Sequence, residues 1–141
     1  MKAVLDTNVV VSGIFFGGLP RDVLEAWSEG RFEVCLSPQI VDEYLRTCDR
    51  LVAPRPCLVY QPLLATLIGH GALVADALAA APITADPDDD KFMICADSSG
   101  AVVVSGDRHL LEASGWRGVI VLTPREVLGQ LLERPEYGKA T

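Results

Sequence analysis

The sequence predicts an α/β domain with a central, mostly parallel sheet of about five strands. Short, continuously apolar runs recur along the chain, as expected for strands that are buried on both faces of a parallel sheet. Segments with helix-capping residues lie between these runs, and alternation of strand and helix is typical of layered α/β proteins. The 141 residues are 50% hydrophobic and suit one core, so we expect residues 1–141 to form a single domain.

The predicted strands are short, and several are rich in β-branched residues. They cover residues 2–5, 32–36, 72–75, 101–104 and 119–122. Parallel neighbours need a crossover connection, which is usually a helix. The gaps between the runs allow such connections, and residues 76–87 form a long link rich in Ala and Pro.

Proline, glycine and small polar residues mark the predicted helices. Pro20 can begin a helix that Gly30 ends near residue 29. Ser37 and Pro38 offer an N-cap and a first-turn proline for a helix to about residue 52. Further helices are predicted at about 57–68, at 87–98, directly after Asp107 and at 124–133, followed by a frayed tail at about 135–141.

The charge balance excludes the simplest kind of nucleic-acid binder. With 19 acidic and 12 basic residues, the formal charge is −7 and the chain lacks an overall basic surface. No apolar run approaches the roughly 18 residues of a membrane span. The apolar start meets Asp6 too early for a secretory signal, so we expect a cytoplasmic protein without membrane contact.

Cysteine and histidine do not indicate a metal site. The four cysteines have spacings that match neither a CxxC motif nor a zinc pattern, and they lie among apolar residues, so we expect them to be structural. His70 and His109 are too far apart in the sequence for a histidine-based site. We therefore expect structural or surface roles for both.

Polar residues directly follow two of the predicted strands. Asp6, Thr7 and Asn8 follow the first strand, and Ser105 and Asp107 follow the fourth. Ligands of open α/β sheets bind outside the carboxyl ends of the strands. Asp6 by itself could be the N-cap of a helix that begins at Thr7. However, Asp, Thr and Asn together supply several oxygen ligands, which favours a functional role.

The segment Asp86-Pro87-Asp88-Asp89-Asp90 places four carboxylates in five residues. Capping of the following helix would use one or two of them. Adjacent carboxylates repel one another, and a divalent cation is the usual way to offset that repulsion. Asp89 points partly toward the packed side of the helix and Asp90 lies one step round, so both are candidate ligands.

Glu43 lies at the edge of the apolar arc of the helix predicted at 38–52. From that position its carboxylate could enter a cleft. It could equally stay in solvent and pair with Arg46 or Arg50 at helical spacing. Helical spacing favours neither interpretation.

These acids form a candidate site without a catalytic Cys, Ser or His system beside it. Its members are Asp6, Glu43, Asp89 or Asp90, and Asp107. Oxygen ligands of this kind favour Mg²⁺ or Mn²⁺ over zinc. Such a site can activate water and neutralise a phosphodiester, usually with two metal ions about 3.5–4 Å apart. Phosphodiester hydrolysis is therefore the predicted reaction.

The sequence resembles PIN-domain ribonucleases, in particular the bacterial toxins related to VapC. The resemblance rests on four pieces that occur in the family's order. They are residues 4–9 (VLDTNV), Ser37-Pro38 with the helix that carries Glu43, residues 86–92 (DPDDDKF), and residues 104–107 (VSGD) followed by Leu110-Leu111. Together these pieces cover nearly the whole chain.

The resemblance implies a three-layer α/β/α fold and an acidic site that binds Mg²⁺ or Mn²⁺. The implied site has Asp6 after the first strand, Glu43 as the helix acid, Asp89 or Asp90 at the start of the later helix, and Asp107 as the fourth acid, with Thr7, Asn8 and Ser105 as polar supports. It also implies an endoribonuclease that is the toxin of a toxin–antitoxin pair, forms a homodimer and is inhibited by an antitoxin protein.

A bound metal would reverse the sign of the charge at the site, and arginines could then guide RNA phosphates across it. The candidates are Arg46, Arg50 and Arg108, with Arg21 and Arg55 as further ones.

Other classes of protein agree less well with the sequence. A response-regulator receiver needs a lysine after its fifth strand, whereas the lysines here are Lys2, Lys91 and Lys139. A phosphatase of the haloacid dehalogenase type needs Asp where this chain has Asn8. The remaining alternative is a PIN-like interaction module with a vestigial or inactive metal site. Such a module would bind a protein partner through apolar surface, for which the candidates are Phe15, Phe16, Trp27 and Trp116.

Overall fold

A sheet of five parallel strands forms the centre of the structure, a computed structural model that describes residues 1–132. The strands are β1 (Lys2–Leu5), β2 (Glu33–Leu36), β3 (Ala72–Leu73), β4 (Val102–Val104) and β5 (Val121–Leu122). Their order is β3-β2-β1-β4-β5, and every pairing is parallel, which confirms the predicted sheet. The predicted frayed tail at 135–141 lies outside the described residues.

Seven α-helices connect and flank these strands within residues 1–132. They are α1 (Thr7–Phe15), α2 (Gly18–Ser28), α3 (Pro38–Val52), α4 (Gln61–His70), α5 (Asp90–Ser99), α6 (Arg108–Glu112) and α7 (Pro124–Leu132), with 3₁₀ turns at Pro87–Asp89 and Trp116–Gly118. In this part of the chain no helix combines the length and apolar composition needed to cross a membrane.

Helices cover both faces of the sheet. Successive side chains of a strand point to opposite faces, and Ala3, Val4 and Leu5 of β1 are all fully buried. α5 packs against β1, β2 and β4, whereas α1 packs on α2 and α2 packs on α7. The fold is therefore the expected three-layer α/β/α arrangement.

A proline determines where α4 begins. The sequence predicts this helix from about residue 57, but the structure starts it at Gln61. Pro62 then lies in the first turn, where its missing N–H would have no partner within the helix. A start at residue 57 would put Pro62 in the helix interior, where it removes a hydrogen bond and clashes with the preceding turn.

The strands predicted at 72–75 and 119–122 are shorter in the structure. Val119 belongs to the turn around Trp116–Gly118, because its N–H donates to the Trp116 carbonyl and its own carbonyl accepts from Gly115. These backbone groups are therefore not available to extend β5. At the other edge of the sheet, Val74 N–H still donates to the Leu36 carbonyl after β3 has ended.

β1 and β4 are the neighbours at which the chain changes direction across the sheet. It passes from β1 outward to β2 and β3, then returns to β4 on the other side of β1 and continues to β5. The Asp6 N–H donates to the Val104 carbonyl at 2.9 Å, so the residues that follow β1 and β4 lie side by side. In open α/β sheets, a crevice of this kind is where ligands bind.

Candidate active site

Asp6 is a buried carboxylate at the junction of β1 and α1. It occupies the N-cap position of α1 but makes no side-chain cap hydrogen bond, so the interpretation as a simple cap does not account for its side chain. Its Oδ2 instead accepts from Ser105 Oγ at 2.7 Å. Burial, followed by repulsion from Asp107 and Glu43, raises the pKa of Asp6, although the Ser105 hydrogen bond opposes this shift.

Ser105 connects the residues that follow the two central strands. Its side chain is fully buried, and its Oγ also accepts from the Asp107 N–H at 2.9 Å. Asp107 in turn is the N-cap of α6, since its Oδ1 accepts from the His109 N–H at 2.7 Å. One hydroxyl group therefore positions both Asp6 and Asp107.

The aspartate run 86–90 divides into residues with different tasks. Asp86 Oδ1 accepts from the Asp88 N–H at 3.0 Å and so caps the 3₁₀ turn. Asp90 stabilises the preceding loop, because its carboxylate accepts from Ile83 N–H at 3.3 Å and from Thr84 N–H at 2.9 Å. It also accepts from the Thr84 hydroxyl at 2.9 Å.

Asp89 is the member of the run that lies among the other acids. Burial, then repulsion from Asp6, Asp107 and Asp86, raises its pKa from 3.8 to about 6, against a smaller lowering by Lys91. Its side chain makes no cap hydrogen bond at the start of α5. The fold thus brings together three carboxylates from separate parts of the chain, close enough for their charges to interact. They belong to Asp6, Asp89 and Asp107.

Glu43 points to the site and not to the arginines of its own helix. Its Oε2 accepts a hydrogen bond from the hydroxyl of the buried Thr7, and its Oε1 forms an ion pair with Lys91 Nζ at 2.6 Å. The sequence left open a pairing of Glu43 with Arg46 or Arg50. Arg46 instead pairs with Asp42 at 2.7 Å on an exposed face.

The other predicted polar and basic residues lie on the surface. Asn8 and Arg50 are exposed, and Arg108 is exposed within 3.6 Å of Glu112. Arg21 caps the end of α1, since its guanidinium donates to the carbonyls of Gly13 and Ile14. Arg55 donates to the Leu51 carbonyl at 2.7 Å.

The sequence did not predict two of the residues that lie near these acids, His109 and Lys91. His109 was set aside because His70 is distant, yet one donor atom each from Asp89, Asp107 and His109 lie within 4.8 Å of one another. Its position two residues after Asp107, at the start of a helix, was the available signal. Lys91 follows the aspartate run directly, and its side chain is only 12% exposed.

Tyr44 fixes the end of β1 beneath the site. Its fully buried hydroxyl donates to the Leu5 carbonyl at 2.5 Å, directly before Asp6. Burial, followed by the nearby carboxylate of Asp6, raises the pKa of this phenol well above 10, so it remains a hydrogen-bond donor.

The donor set fits a divalent cation. Carboxylate oxygens predominate, and repulsion among them contributes to the raised pKa values of Asp6 and Asp89. A cation would remove that repulsion, and oxygen-rich sets with one imidazole suit Mg²⁺ or Mn²⁺. Asp89, Asp107 and His109 are close enough together to bind one ion.

Comparisons with known proteins give a family and a fold. A family model described as "PIN domain" matches residues 2–109, a range that contains Asp6, Glu43, Asp89 and Asp107. The crystal structure of PAE2754 from Pyrobaculum aerophilum is similar in fold, with a TM-score of 0.61 and 16% sequence identity. That similarity covers 94% of this chain and 90% of the other. No curated protein gives a significant match.

PIN domains are in general metal-dependent nucleases, and the described residues include an acidic group that suits a metal ion. The match covers more than half of the chain, and the structure has the three-layer fold that the resemblance implied. This chain therefore belongs to the PIN-domain family.

Proposed function

We propose that this protein is a Mg²⁺- or Mn²⁺-dependent endoribonuclease that hydrolyses RNA phosphodiester bonds at Asp6, Asp89 and Asp107. The observation that supports this proposal is the convergence of the three carboxylates at the carboxyl ends of β1 and β4, where they repel one another. A divalent cation bound between these carboxylates would offset their mutual repulsion.

Asp89, Asp107 and His109, whose donor atoms lie within 4.8 Å of one another, would hold the cation, with Asp6 as a further carboxylate ligand beside Asp107. When bound, the ion supplies Lewis-acid stabilisation for the negative charge that develops on the phosphate during hydrolysis. Ser105 holds Asp6 and the backbone of Asp107 in fixed positions, so little rearrangement is needed on loading.

For the remaining predicted acids we propose supporting roles. Asp90 keeps the loop at residues 83–84 in place and thereby positions its neighbour Asp89. Glu43 lies beside the site as the helix acid, and Thr7 orients its carboxylate. Asn8 is exposed at the second residue of α1, where it can contact a bound substrate.

Arginines around the site are proposed to bind RNA phosphates. Arg108 directly follows Asp107 and is 82% exposed, so its guanidinium is free to leave Glu112 for a phosphate. Arg46 and Arg50 follow Glu43 on α3 at helical spacing. The local positive charge would offset the overall charge of −7.

The test is cleavage of a labelled single-stranded RNA by the purified protein. We expect cleavage with Mg²⁺ or Mn²⁺ and none with EDTA. Asp6→Asn and Asp107→Asn should lower the rate by at least about 100-fold while circular dichroism shows an intact fold. Asp97→Asn is the matched control, because Asp97 is an exposed aspartate whose ion-pair partner, Arg117, is not among the proposed RNA contacts. Cleavage in EDTA, or full activity in both site variants, would contradict the proposal.

We further propose a cytoplasmic toxin that forms a homodimer and is inhibited by an antitoxin, as the resemblance to VapC-related toxins implies. The test is induced expression in a bacterial host. Growth arrest that disappears with Asp6→Asn supports the toxin role, whereas normal growth of cells that accumulate the folded protein contradicts it. Sedimentation of the purified chain gives the oligomeric state separately.

A further inference from the structure

Lys91 is a nearly buried cation inside the acidic site. Its side chain is 12% exposed, and lysine is rarely buried to this extent unless its ammonium group has partners. The Nζ atom lies 2.6 Å from Glu43 Oε1 and also donates to the Asp88 carbonyl. Lys91 therefore links α3, which carries Glu43, to the segment that carries Asp89.

Both carboxylate oxygens of Glu43 are engaged by protein donors. Thr7 Oγ1 donates to Oε2, and Lys91 binds Oε1. The charge of Glu43 is therefore balanced within the protein. Asp89 differs, since its side chain makes no cap hydrogen bond and one of its carboxylate oxygens lies within 4.8 Å of donor atoms of Asp107 and His109.

The site thus has two parts that differ in their contacts. In one part, donor atoms of Asp89, Asp107 and His109 lie within 4.8 Å of one another, and Ser105 connects Asp6 to the backbone of Asp107. In the other part, the Glu43 carboxylate is paired with the Lys91 ammonium. A second divalent ion at Glu43 would have to displace the Lys91 ammonium, which would then remain mostly buried with the Asp88 carbonyl but without a carboxylate to balance its charge.

We propose that Lys91 is a positioning residue that takes the place of a second metal ion at Glu43, so that the site loads one divalent cation at Asp6, Asp89 and Asp107. This inference rests on the proposed function, because it concerns the same site. It assigns Glu43 the role of anchoring Lys91 and Thr7, and not that of a direct ligand. It also makes Lys91 the residue that determines the metal stoichiometry.

The test is Mn²⁺ binding, measured by isothermal titration calorimetry and by electron paramagnetic resonance. The original chain and Lys91→Arg should bind one ion. Lys91→Met should bind two, because Glu43 loses its cation, and the two ions should broaden each other's resonance. Glu43→Gln should change the affinity for the first ion by less than about threefold, since Glu43 is not its ligand.

Three results would overturn the inference. The first is binding of two ions to the original chain, and the second is binding of a single ion by folded Lys91→Met. The third is a loss of affinity in Glu43→Gln as large as that in Asp107→Asn. If Lys91→Met does not fold by circular dichroism, the Lys91→Arg and Glu43→Gln results decide the matter. Undiminished Mn²⁺ binding by both Asp6→Asn and Asp107→Asn would instead contradict the metal site of the proposed function, and so the two failures are distinguishable.

Discussion

The carboxylates of Asp6 and Asp89 hinder one another's ionisation. Each has a raised pKa, chiefly because it is buried and then because neighbouring acids repel it. Ser105 reduces this cost at Asp6 by donating a hydrogen bond, whereas Asp89 has only the smaller effect of Lys91. At the scale of single residues, the folded state is thus destabilised by charge repulsion at the place where we propose that a cation binds.

Metal-free protein should lose stability as the pH rises from about 4 through about 6, and a comparison of about pH 5 with about pH 8 captures the upper part of this loss. The pKa of Asp89 is about 6 in the folded protein against 3.8 as the ordinary value, so the folded state holds its proton more tightly. The resulting stabilisation is complete at low pH and is lost as Asp89 ionises. Asp89→Asn should raise the free energy of unfolding at about pH 8 by about 1 kcal/mol, after allowance for solvent screening.

Urea unfolding in EDTA at both pH values measures this effect. Asp42→Asn serves as the control, because Asp42 is exposed on α3. A pH dependence that is the same in the original chain and in Asp89→Asn would rule out Asp89 as its source.

His109 should influence which metal the site prefers. An imidazole nitrogen favours Mn²⁺ over Mg²⁺ relative to an all-oxygen set, and His109 has a donor atom within 4.8 Å of those of Asp89 and Asp107. His109→Gln is expected to weaken Mn²⁺ binding by about tenfold and Mg²⁺ binding much less. Calorimetric titration with each ion tests this, with the exposed His70→Gln as control. Unchanged binding of both ions would show that the imidazole is not a ligand, and equal losses would contradict its effect on the choice of metal.

At the scale of elements, the packing of α1 on α2 depends on a glycine. A Cβ at Gly13 would lie 2.6 Å from Leu24 Cδ1 and 2.9 Å from the Pro20 carbonyl oxygen. The leucine could move, but the carbonyl belongs to the backbone of α2. Since α1 begins directly after Asp6, a displacement of this helix would also reach the site.

Gly13→Ala should therefore destabilise the protein by about 1–3 kcal/mol, as overpacking usually does. Gly129→Ala is the matched control, because Gly129 is also helical but has no atom within 4 Å of its added Cβ. That control should be neutral or stabilise by up to about 1 kcal/mol, since alanine is the better helix former. Denaturant unfolding of both variants provides the comparison, and equal stabilities would contradict the packing argument.

The elements also show what the sequence could and could not predict. The bounds of α3 follow from local chemistry, because Ser37 caps the helix and Pro38 suits its first turn, and the prediction agrees with the structure. The start of α4 was wrong because the effect of Pro62 inside the predicted helix was not taken into account. The end strand β5 was predicted too long, since the turn around Trp116–Gly118 is not encoded in apolar character.

In the candidate site as well, residues defined by nearby sequence could be predicted, whereas those defined by contacts between distant segments could not. Asp6 and Asp107 could be selected because each follows a strand of a parallel sheet. Asp89 and Asp90 could not be separated, because their difference arises from the loop at residues 83–84, whose groups bind Asp90. The role of Lys91 depends on its contact with Glu43, and this contact exists only because α3 and α5 pack together.

At the scale of the whole molecule, metal binding should be coupled to folding. The unfolded chain does not hold its distant carboxylates together, so a cation binds the folded state preferentially and stabilises it. At a free Mn²⁺ concentration of about 100 times Kd, the gain is about 2.7 kcal/mol. Thermal unfolding with and without Mn²⁺ measures it, and Asp107→Asn should lose most of the gain. An unchanged Tm in saturating Mn²⁺ would contradict specific binding to the native state.

The hydrogen bond between Ser105 and Asp6 joins residues 99 positions apart in the chain. During synthesis, Asp6 and Glu43 leave the ribosome long before β4 and Asp107 have been made. No product that stops before residue 105 can bring the three aspartates together. If the proposed activity is correct, a growing chain therefore cannot cut RNA, including its own message, until most of the protein has been translated.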